Sequence, residues 1–360
     1  MTIFIVFISL ILLIVLHELG HFLVAKKFNV MVEEFGVGLP PRIAGMRFGE
    51  TLYSLNLLPL GAFVRLQGEE GAGLIGDRSY ASKSVLQRSL IVAAGVVAFW
   101  LIAFFILTGL GATLGIPSQV TDDFSGKAWV QILAVAPESP AAAAGLAPGD
   151  VIEGFRIQEG LVEITTVSQV QEFTKNYAGQ DVVMNVLSGN NRREATLNIR
   201  ERVPEGQGPL GVALARAALV SYPWYEAPVQ GAMFTWQFTT QVVGGLGHLA
   251  VNLLSFQGVP EGTQFLGVVG IFGLLQNAFA FGWGSFLSLL ALLSVYLAVF
   301  NALPIPAVDG GKLLFLGIEA IRKKPVPVMI EQRIHAAFFF ILISLLIFVT
   351  FQDISRLTGN

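Results

Sequence analysis

Two histidines and a glutamate near the amino terminus have the types and spacing needed for metal-dependent hydrolysis. They lie in a stretch that reads LHELGH and runs from Leu16 to His21. His17 and His21 are four positions apart, so on a helix their imidazoles share one face and can hold a zinc ion. Glu18 follows His17 directly and is placed to act as the general base for a water molecule on that metal.

The surroundings of these residues are apolar. They lie inside a hydrophobic run that begins at Met1 and ends at Lys26-Lys27. Ionisable side chains inside a membrane are costly and usually functional, so three of them in five residues favour a functional site. The run has no basic region at its start and is too long for a typical signal-peptide core. We therefore expect residues 1–26 to be a retained transmembrane helix.

Composition sets the broad class of the protein. The chain has 360 residues, of which 54% are hydrophobic and 13% are charged, with a net charge of -3. This is typical of a membrane protein with room for one modest soluble domain. There is no basic tract, so we expect no nucleic-acid partner. Cysteine is absent, which excludes disulfides and thiolate metal ligands.

The apolar runs predict an α-helical membrane protein, a polytopic bundle of about four transmembrane helices in the lipid bilayer. The predicted spans are 1–26, 85–116, 284–321 (a segment with a break) and 333–352. We expect residues 228–283 to form interfacial or partly membrane-embedded helices, because 229–256 is too polar for a confident span. We expect one helix there, 229–256, to lie at the outer interface, since only one or three crossings return the chain to the inner side.

Basic residues near the span ends indicate the orientation. Residues 27–84 carry six Lys and Arg residues, which marks them as a cytoplasmic loop in a plasma (inner) membrane protein. The metal site then lies toward the cytoplasm, and residues 127–202 lie outside.

Within the cytoplasmic loop, residues 51–66 predict a membrane-associated β-hairpin. Tyr53 and Leu55 alternate with polar residues, and a turn at 58–61 would let residues 62–66 return. Two interpretations stay open. The segment is either an ordinary cytoplasmic hairpin or an apolar hairpin beside the metal helix that offers a strand edge to a substrate.

A third candidate metal ligand occurs much later in the chain. Asp309 follows a segment with two prolines, Pro304 and Pro306, which break a helix. Broken backbone at membrane depth persists only where protein or a water-filled cavity satisfies it. An acidic residue at such a break is a candidate ligand, and the alternative is a helix-capping aspartate. His248 and His335 are expected to be interfacial rather than metal-binding.

Residues 127–202 have the pattern of a small soluble domain. Alternating apolar residues and turn signals predict strands at 130–135, 151–152, 181–187 and 193–199 and helices at 139–146 and 168–177. The motif AGLxxGDxI, from Ala144 to Ile152, resembles the PDZ domains of bacterial proteases. The expected fold is thus an inserted α+β PDZ domain. It either binds peptide termini by strand addition or only excludes bulky molecules by size.

Taken together, these motifs resemble the site-2 protease family of intramembrane zinc metalloproteases, in its bacterial form with a single PDZ domain. The resemblance rests on HExxH at 17–21, the PDZ insertion and NxxPxPxxDG from Asn301 to Gly310. It implies that His17, His21 and Asp309 are the Zn²⁺ ligands and that Glu18 is the base.

The same resemblance implies a substrate and an activity. Asn301, with Pro304 and Pro306 of the same loop, would help to hold the substrate chain. The activity would be regulated intramembrane proteolysis, in which a single-pass membrane protein is cut within its span after an earlier cut outside. Anti-sigma factors and signal-peptide remnants are the substrates that the family suggests.

One position departs from the family pattern. The family usually has an asparagine a few residues after Ala94-Gly95, whereas this chain has Ala98-Phe99-Trp100 in that place. The alternative function is a non-proteolytic zinc-binding membrane protein that binds partners through its PDZ domain. Such an inactive relative would usually lack the base, and Glu18 is present.

Overall fold

The architecture comes from a computed structural model that describes residues 1–69, 76–157, 160–188, 191–204, 206–259 and 265–358. The helices are Thr2–Lys27 (α1), Val85–Ala112 (α2), Pro140–Ala143 (α3), Val167–Asn176 (α4), Ala227–Leu254 (α5), Val268–Ala280 (α6), Trp283–Ala302 (α7), Asp309–Arg322 (α8) and Val328–Thr358 (α9). The strands are Val32–Phe48 (β1), Thr51–Leu66 (β2), Ile116–Gln119 (β3), Ala128–Val135 (β4), Val151–Ile157 (β5), Gly160–Glu163 (β6), Asp181–Ser188 (β7), Asn191–Asn198 (β8) and Val212–Val220 (β9).

Four of the described helices are long and apolar enough to cross a membrane. They are Thr2–Lys27, Val85–Ala112, Trp283–Ala302 and Val328–Ser355. This confirms the prediction of about four spans in a multi-pass membrane protein. Helix α5 forms where an interfacial helix is predicted and is not among these four. Its interfacial position stays a prediction.

The chain divides into two compact units, and the first contains the predicted metal ligands. This unit comprises Met1–Thr108, Pro228–Gln276 and Leu289–Asn360. Helix α7 ends at Ala302 and α8 begins at Asp309, so the helix break predicted from the two prolines is present.

A small sheet follows α1 in the same unit. Strands β1 and β2 are joined by a tight turn at Gly49-Glu50, with Phe48 paired to Thr51. Residues 42–48 pair with 51–56, whereas residues 32–37 pair both with 62–66 and with 52–55. The first half of β1 therefore lies between the two halves of β2. Strand β2 bends at 58–61, where Gly61 has a φ of +105°.

The predicted pairing of 51–66 as a hairpin with itself is wrong. Its two halves do not pair with each other, because residues 32–37 of β1 lie between them. If this segment offers a strand edge to a substrate, that edge does not lie at Tyr53 and Leu55. Tyr53 pairs with Phe35 and Met46, and Leu55 pairs with Val37 and Ala44, so both backbone edges are already occupied.

The second unit comprises Gly109–Ala227 together with 277–288. Its sheet has the order β3-β9-β4-β5-β7-β8, with β6 paired to β5. Helix α4 begins with a capping box in which the Thr166 hydroxyl accepts from Gln169 N and the Gln169 side chain bonds back to Thr166 N. The core of this unit includes Phe155 stacked on Phe173, with ring centroids 4.0 Å apart.

The secondary structure predicted for residues 127–202 is present in this unit. The sheet also contains β3 and β9, which lie outside that range. Strand β9 pairs with β4 from Val212 to Ala218 and with β3 from Ala217 to Val220. The identification of this α+β unit as a PDZ domain stays a prediction.

Candidate metal centre

Helix α1 places the two histidines of the HExxH motif on one face. The ring centroids of His17 and His21 are 4.8 Å apart, and their Nε2 atoms are 3.3 Å apart. His17 is only 7% exposed, although it lies in a helix with an apolar sequence. The i,i+4 spacing thus produces the pair of adjacent imidazole nitrogens expected from the sequence, and their role as ligands stays a prediction.

Asp309 completes this cluster from a position almost 300 residues further along the chain. Its Oδ2 atom lies 3.4 Å from His17 Nε2 and 3.3 Å from His21 Nε2. The residue before it, Val308, is the N-cap of α8, so Asp309 is the first helical residue and not the capping residue. The alternative of a capping aspartate therefore does not describe its position.

Two glycines bring Asp309 to this place. A Cβ atom on Gly310 would lie 1.9 Å from the carbonyl oxygen of Leu303, and one on Gly311 would lie 2.5 Å from that of Ile305. The broken segment 303–308 can therefore fold tightly over the first turn of α8 only if both residues lack side chains.

The donor atoms fit a zinc ion. Tetrahedral ligands at about 2.0–2.1 Å from zinc lie roughly 3.3–3.4 Å from one another, which matches the three observed separations. His21 Nδ1 lies 2.9 Å from the carbonyl oxygen of Ile91, which can only accept, so Nδ1 carries the hydrogen and the Nε2 lone pair faces the cluster. Asp309 Oδ2 is buried and has no hydrogen-bond donor among the described residues. A cation would satisfy all three lone pairs.

Helix α2 packs directly on the two histidines. Gly95 lies so close that an added Cβ would be 2.1 Å from His21 Nε2. Phe99 stacks on His17, with centroids 4.5 Å apart and ring planes at 18°. Its carbonyl accepts a hydrogen bond of 2.8 Å from the Ser294 hydroxyl of α7. An aromatic ring therefore covers the predicted ligand His17 near the place where the resemblance led us to expect an asparagine, a contact that the sequence did not reveal.

A cavity of about 550 Å³ opens on one side of the cluster. Its walls include Glu18, His21 and Asp309 together with residues 63–66 of β2. The carboxylate of Glu18 and one donor atom from each histidine lie within 4.8 Å of one another. A peptide in this cavity would therefore lie beside the predicted ligands His21 and Asp309 and the predicted base Glu18.

Ion pairs tie the elements around the cavity together. Arg88 of α2 bonds to both carboxylate oxygens of Glu319 of α8, at 3.1 and 2.5 Å. Glu50, in the turn of the small sheet, bonds to Lys26 at the end of α1 and to Arg78, and these two cations lower the pKa of its carboxyl. The small sheet is thereby attached to the end of α1.

Tyr80 lines the same cavity and is 9% exposed. Burial raises the pKa of its phenol, so this side chain stays protonated and neutral near pH 7.

The residues predicted to bind substrate have different surroundings. Asn301 Nδ2 donates a hydrogen bond of 2.9 Å to Leu297 O of its own helix. Pro304 is exposed, whereas Pro306 is buried against Gly311. Tyr53 and Leu55 are 37% and 53% exposed, and both line a groove on the small sheet. Their contact with substrate through side chains stays a prediction.

His335 also borders the cavity, which the sequence did not predict. Its Nδ1 accepts a hydrogen bond of 2.9 Å from the backbone N–H of Ala307. His248 is exposed on α5. His335 lies on α9, the second helix after the broken segment. The sequence alone does not show that this helix returns to contact the segment.

The fold and the site define a multi-pass membrane protein with a buried His-His-Asp cluster beside a glutamate. A family model described as Peptidase family M50 matches residues 5–345, and the chain belongs to this family. The protein is therefore a zinc-dependent metalloprotease, which confirms the resemblance to site-2 proteases, the enzyme class and Zn²⁺ as cofactor.

Individual relatives cover nearly the whole chain. CPE1693 of Clostridium perfringens is 31% identical over 345 residues, which cover 95% of each chain. The protein all3971 of Nostoc sp. is 30% identical over 358 residues, covering 96% of this chain and 94% of the relative. Zinc metalloprotease RasP of Geobacillus kaustophilus is 26% identical over 435 aligned residues, covering 96% of this chain and 95% of RasP.

Proposed function

We propose that this metalloprotease cleaves single-pass membrane proteins inside the bilayer, as a step of regulated intramembrane proteolysis. The observation that carries the proposal is the cluster of His17, His21 and Asp309, two of which lie in a helix apolar enough to cross a membrane. Anti-sigma factors and signal-peptide remnants are the substrate types we propose.

The three clustered side chains would hold zinc, and Glu18 would be the base. Zinc bound there supplies a Lewis acid for the peptide carbonyl and lowers the pKa of water. The Glu18 carboxylate takes the proton from the attacking water and later gives it to the leaving amine nitrogen. The His21 hydrogen bond to Ile91 O holds its ring in the orientation that points Nε2 at the metal.

Substrate presentation requires an extended peptide, because a helix hides its carbonyls in its own hydrogen bonds. Residues 62–66 of β2 pair with β1 on one side, and residues 63–66 line the metal cavity. Within the described chain, no backbone partner is found on the other side of this segment. We therefore assign strand addition to the edge at 62–66. Asn301 and the exposed Pro304 would contact the same peptide.

The orientation that we propose follows from the charges of the loops. The metal centre would lie toward the cytoplasm, and the α+β unit around 127–202 would lie outside as a PDZ domain. That domain would exclude substrates with a large outside part, and peptide termini are its candidate ligands.

The test compares zinc content and cleavage of a model single-span substrate. Glu18→Gln is expected to keep zinc and to lose cleavage by at least about 100-fold, because only the proton-transfer group is removed. His21→Ala is expected to lose both zinc and cleavage. Cleavage by Glu18→Gln at the parent rate would show that the assigned base is wrong.

The non-proteolytic alternative makes a different prediction in the same experiment. A zinc-binding partner protein would bind the single-span substrate but leave it uncut, in the parent as in Glu18→Gln. Membership of the metalloprotease family and the presence of Glu18 in the cavity both favour the protease.

A further inference from the structure

The backbone N–H groups of the broken segment 303–308 need hydrogen-bond acceptors within the protein. Pro304 and Pro306 have no N–H, which leaves four donors in the segment. Three of them bond to nearby carbonyls: Leu303 N to Phe300 O, Ile305 N to Leu303 O, and Val308 N to Ile305 O. The fourth, Ala307 N–H, leaves the segment and donates to His335 Nδ1 of α9 at 2.9 Å.

Ala307 is also held in an unfavourable conformation. Its φ is +86°, in the left-handed region that residues with a Cβ rarely adopt. Such a conformation persists only where the surroundings impose it. Ala307 is two residues before Asp309. A change in the φ of Ala307 would therefore displace the Asp309 carboxylate relative to the two histidines.

The surroundings of His335 suit an acceptor at Nδ1. Its Nε2 lies 3.8 Å from Glu331 Oε1, one turn earlier on α9. A carboxylate near Nε2 favours the tautomer that carries the hydrogen there, which leaves the Nδ1 lone pair for Ala307. The ring also packs near Phe315 of α8, with centroids 5.4 Å apart. Through His335, helix α9 thereby contacts both the segment before Asp309 and helix α8, which begins at Asp309.

We propose that His335 is a positioning residue for the zinc ligand Asp309, through the hydrogen bond that holds Ala307 in its left-handed conformation. The inference rests on the proposed function, because it requires Asp309 to be a ligand. His335 itself is not one of the proposed ligands. It acts on the presentation of the ligand, as outer-shell hydrogen bonds do in other metal sites, where their loss costs 10- to 100-fold in affinity.

The test uses two polar substitutions that differ in where they place an acceptor. The side-chain oxygen in His335→Asn is at the same distance from the backbone as Nδ1, whereas in His335→Gln it is one bond further out. We expect His335→Asn to bind zinc within about threefold of the parent and His335→Gln to bind it at least about tenfold more weakly. The measurement is zinc retained by the full-length protein in detergent against a competing chelator.

A second substitution tests the route through Ala307. Glycine adopts positive φ at little cost, so Ala307→Gly weakens the dependence on the hydrogen bond. The loss of zinc affinity caused by His335→Gln should therefore be clearly smaller in the Ala307→Gly background.

Two further measurements separate positioning from a general loss of structure. The loss of cleavage activity caused by His335→Gln should appear in kcat more than in KM. The melting temperature of the zinc-free protein should be similar for the two His335 variants.

The outcomes separate this inference from the proposed function. Equal zinc affinity for His335→Asn and His335→Gln, or an equal loss in both Ala307 backgrounds, overturns the positioning role. Asp309→Asn, measured in parallel, should abolish tight zinc binding. If Asp309→Asn keeps zinc, the proposed ligand set fails. If Asp309→Asn loses zinc while His335→Gln keeps it, only the inference about His335 fails.

Discussion

Gly95 of α2 lies directly against Nε2 of His21, the nitrogen that we propose as a metal ligand. A Cβ atom added to this glycine would be 2.1 Å from His21 Nε2 and 2.4 Å from the neighbouring Cε1. Real Cβ atoms do not approach other atoms so closely, so either the ring or the helix would have to move. Helix α2 therefore forms one wall of the candidate metal centre by having no side chain at this position.

Gly95→Ala is expected to lower zinc affinity by about tenfold or more, because it displaces the ring that supplies a ligand. Gly109→Ala is the matched control on the same helix, since its Cβ would meet nothing within 4 Å. Zinc retained against a chelator measures both variants. A Gly95→Ala protein that binds zinc like the control would contradict the close packing of α2 on His21.

The absence of cysteine allows a direct test of the substrate edge. In the Glu18→Gln background, Val64→Cys is expected to form a disulfide with a cysteine placed near the cleavage site of a model substrate. Val64 lies on the edge that lines the metal cavity. Met46→Cys, on the opposite edge of the same sheet, serves as the control and should form little disulfide. Preferential crosslinking of the Met46→Cys variant would show that the substrate strand adds to the edge at 42–48 instead.

Removal of the α+β unit tests its role as a size filter. Ile116 and Val220 are paired across β3 and β9, so a short linker can replace residues 116–220 without leaving unpaired strands. The shortened enzyme is expected to cut substrates that keep a large outside domain, with little change on pre-trimmed substrates. The readout is the cleavage rate as the outside part of the substrate is shortened stepwise. If the deletion instead abolishes cutting of trimmed substrates, the unit captures peptide termini.

The pH dependence of the α+β unit should report on Asp122. Its carboxylate accepts from the hydroxyl and backbone N–H of Ser168 and from Val167 N, at the start of α4. These bonds lower the pKa of Asp122 below its ordinary value of 3.8. The contribution of Asp122 to the free energy of unfolding is therefore complete above pH 3.8 and is lost as the pH falls through the lowered pKa.

This stabilisation can be measured by difference. Between pH 5 and pH 3, the unfolding temperature of the unit should fall more in the parent than in Asp122→Asn, because the other carboxylates titrate in both proteins. An equal fall in the two proteins would show that Asp122 contributes nothing to α4.

The sequence by itself determined the chemistry of the site. The i,i+4 histidines, the adjacent Glu18 and the aspartate after two prolines are local patterns, and their meaning depends on spacing along one helix or at one break. Hydrophobic run length likewise determined the four spans. The strands and helices between residues 127 and 202 were predictable for the same reason, since alternation and caps are local.

Only the tertiary structure decided which distant residues meet. The pairing of β1 with both halves of β2 could not be read from alternation, because a period of two predicts strands but not their partners. The edge that we propose for strand addition therefore lies at residues 62–66 and not at Tyr53 and Leu55. The contacts of Gly95 with His21 and of His335 with Ala307 join separate helices, and their distances depend on packing that no local pattern encodes.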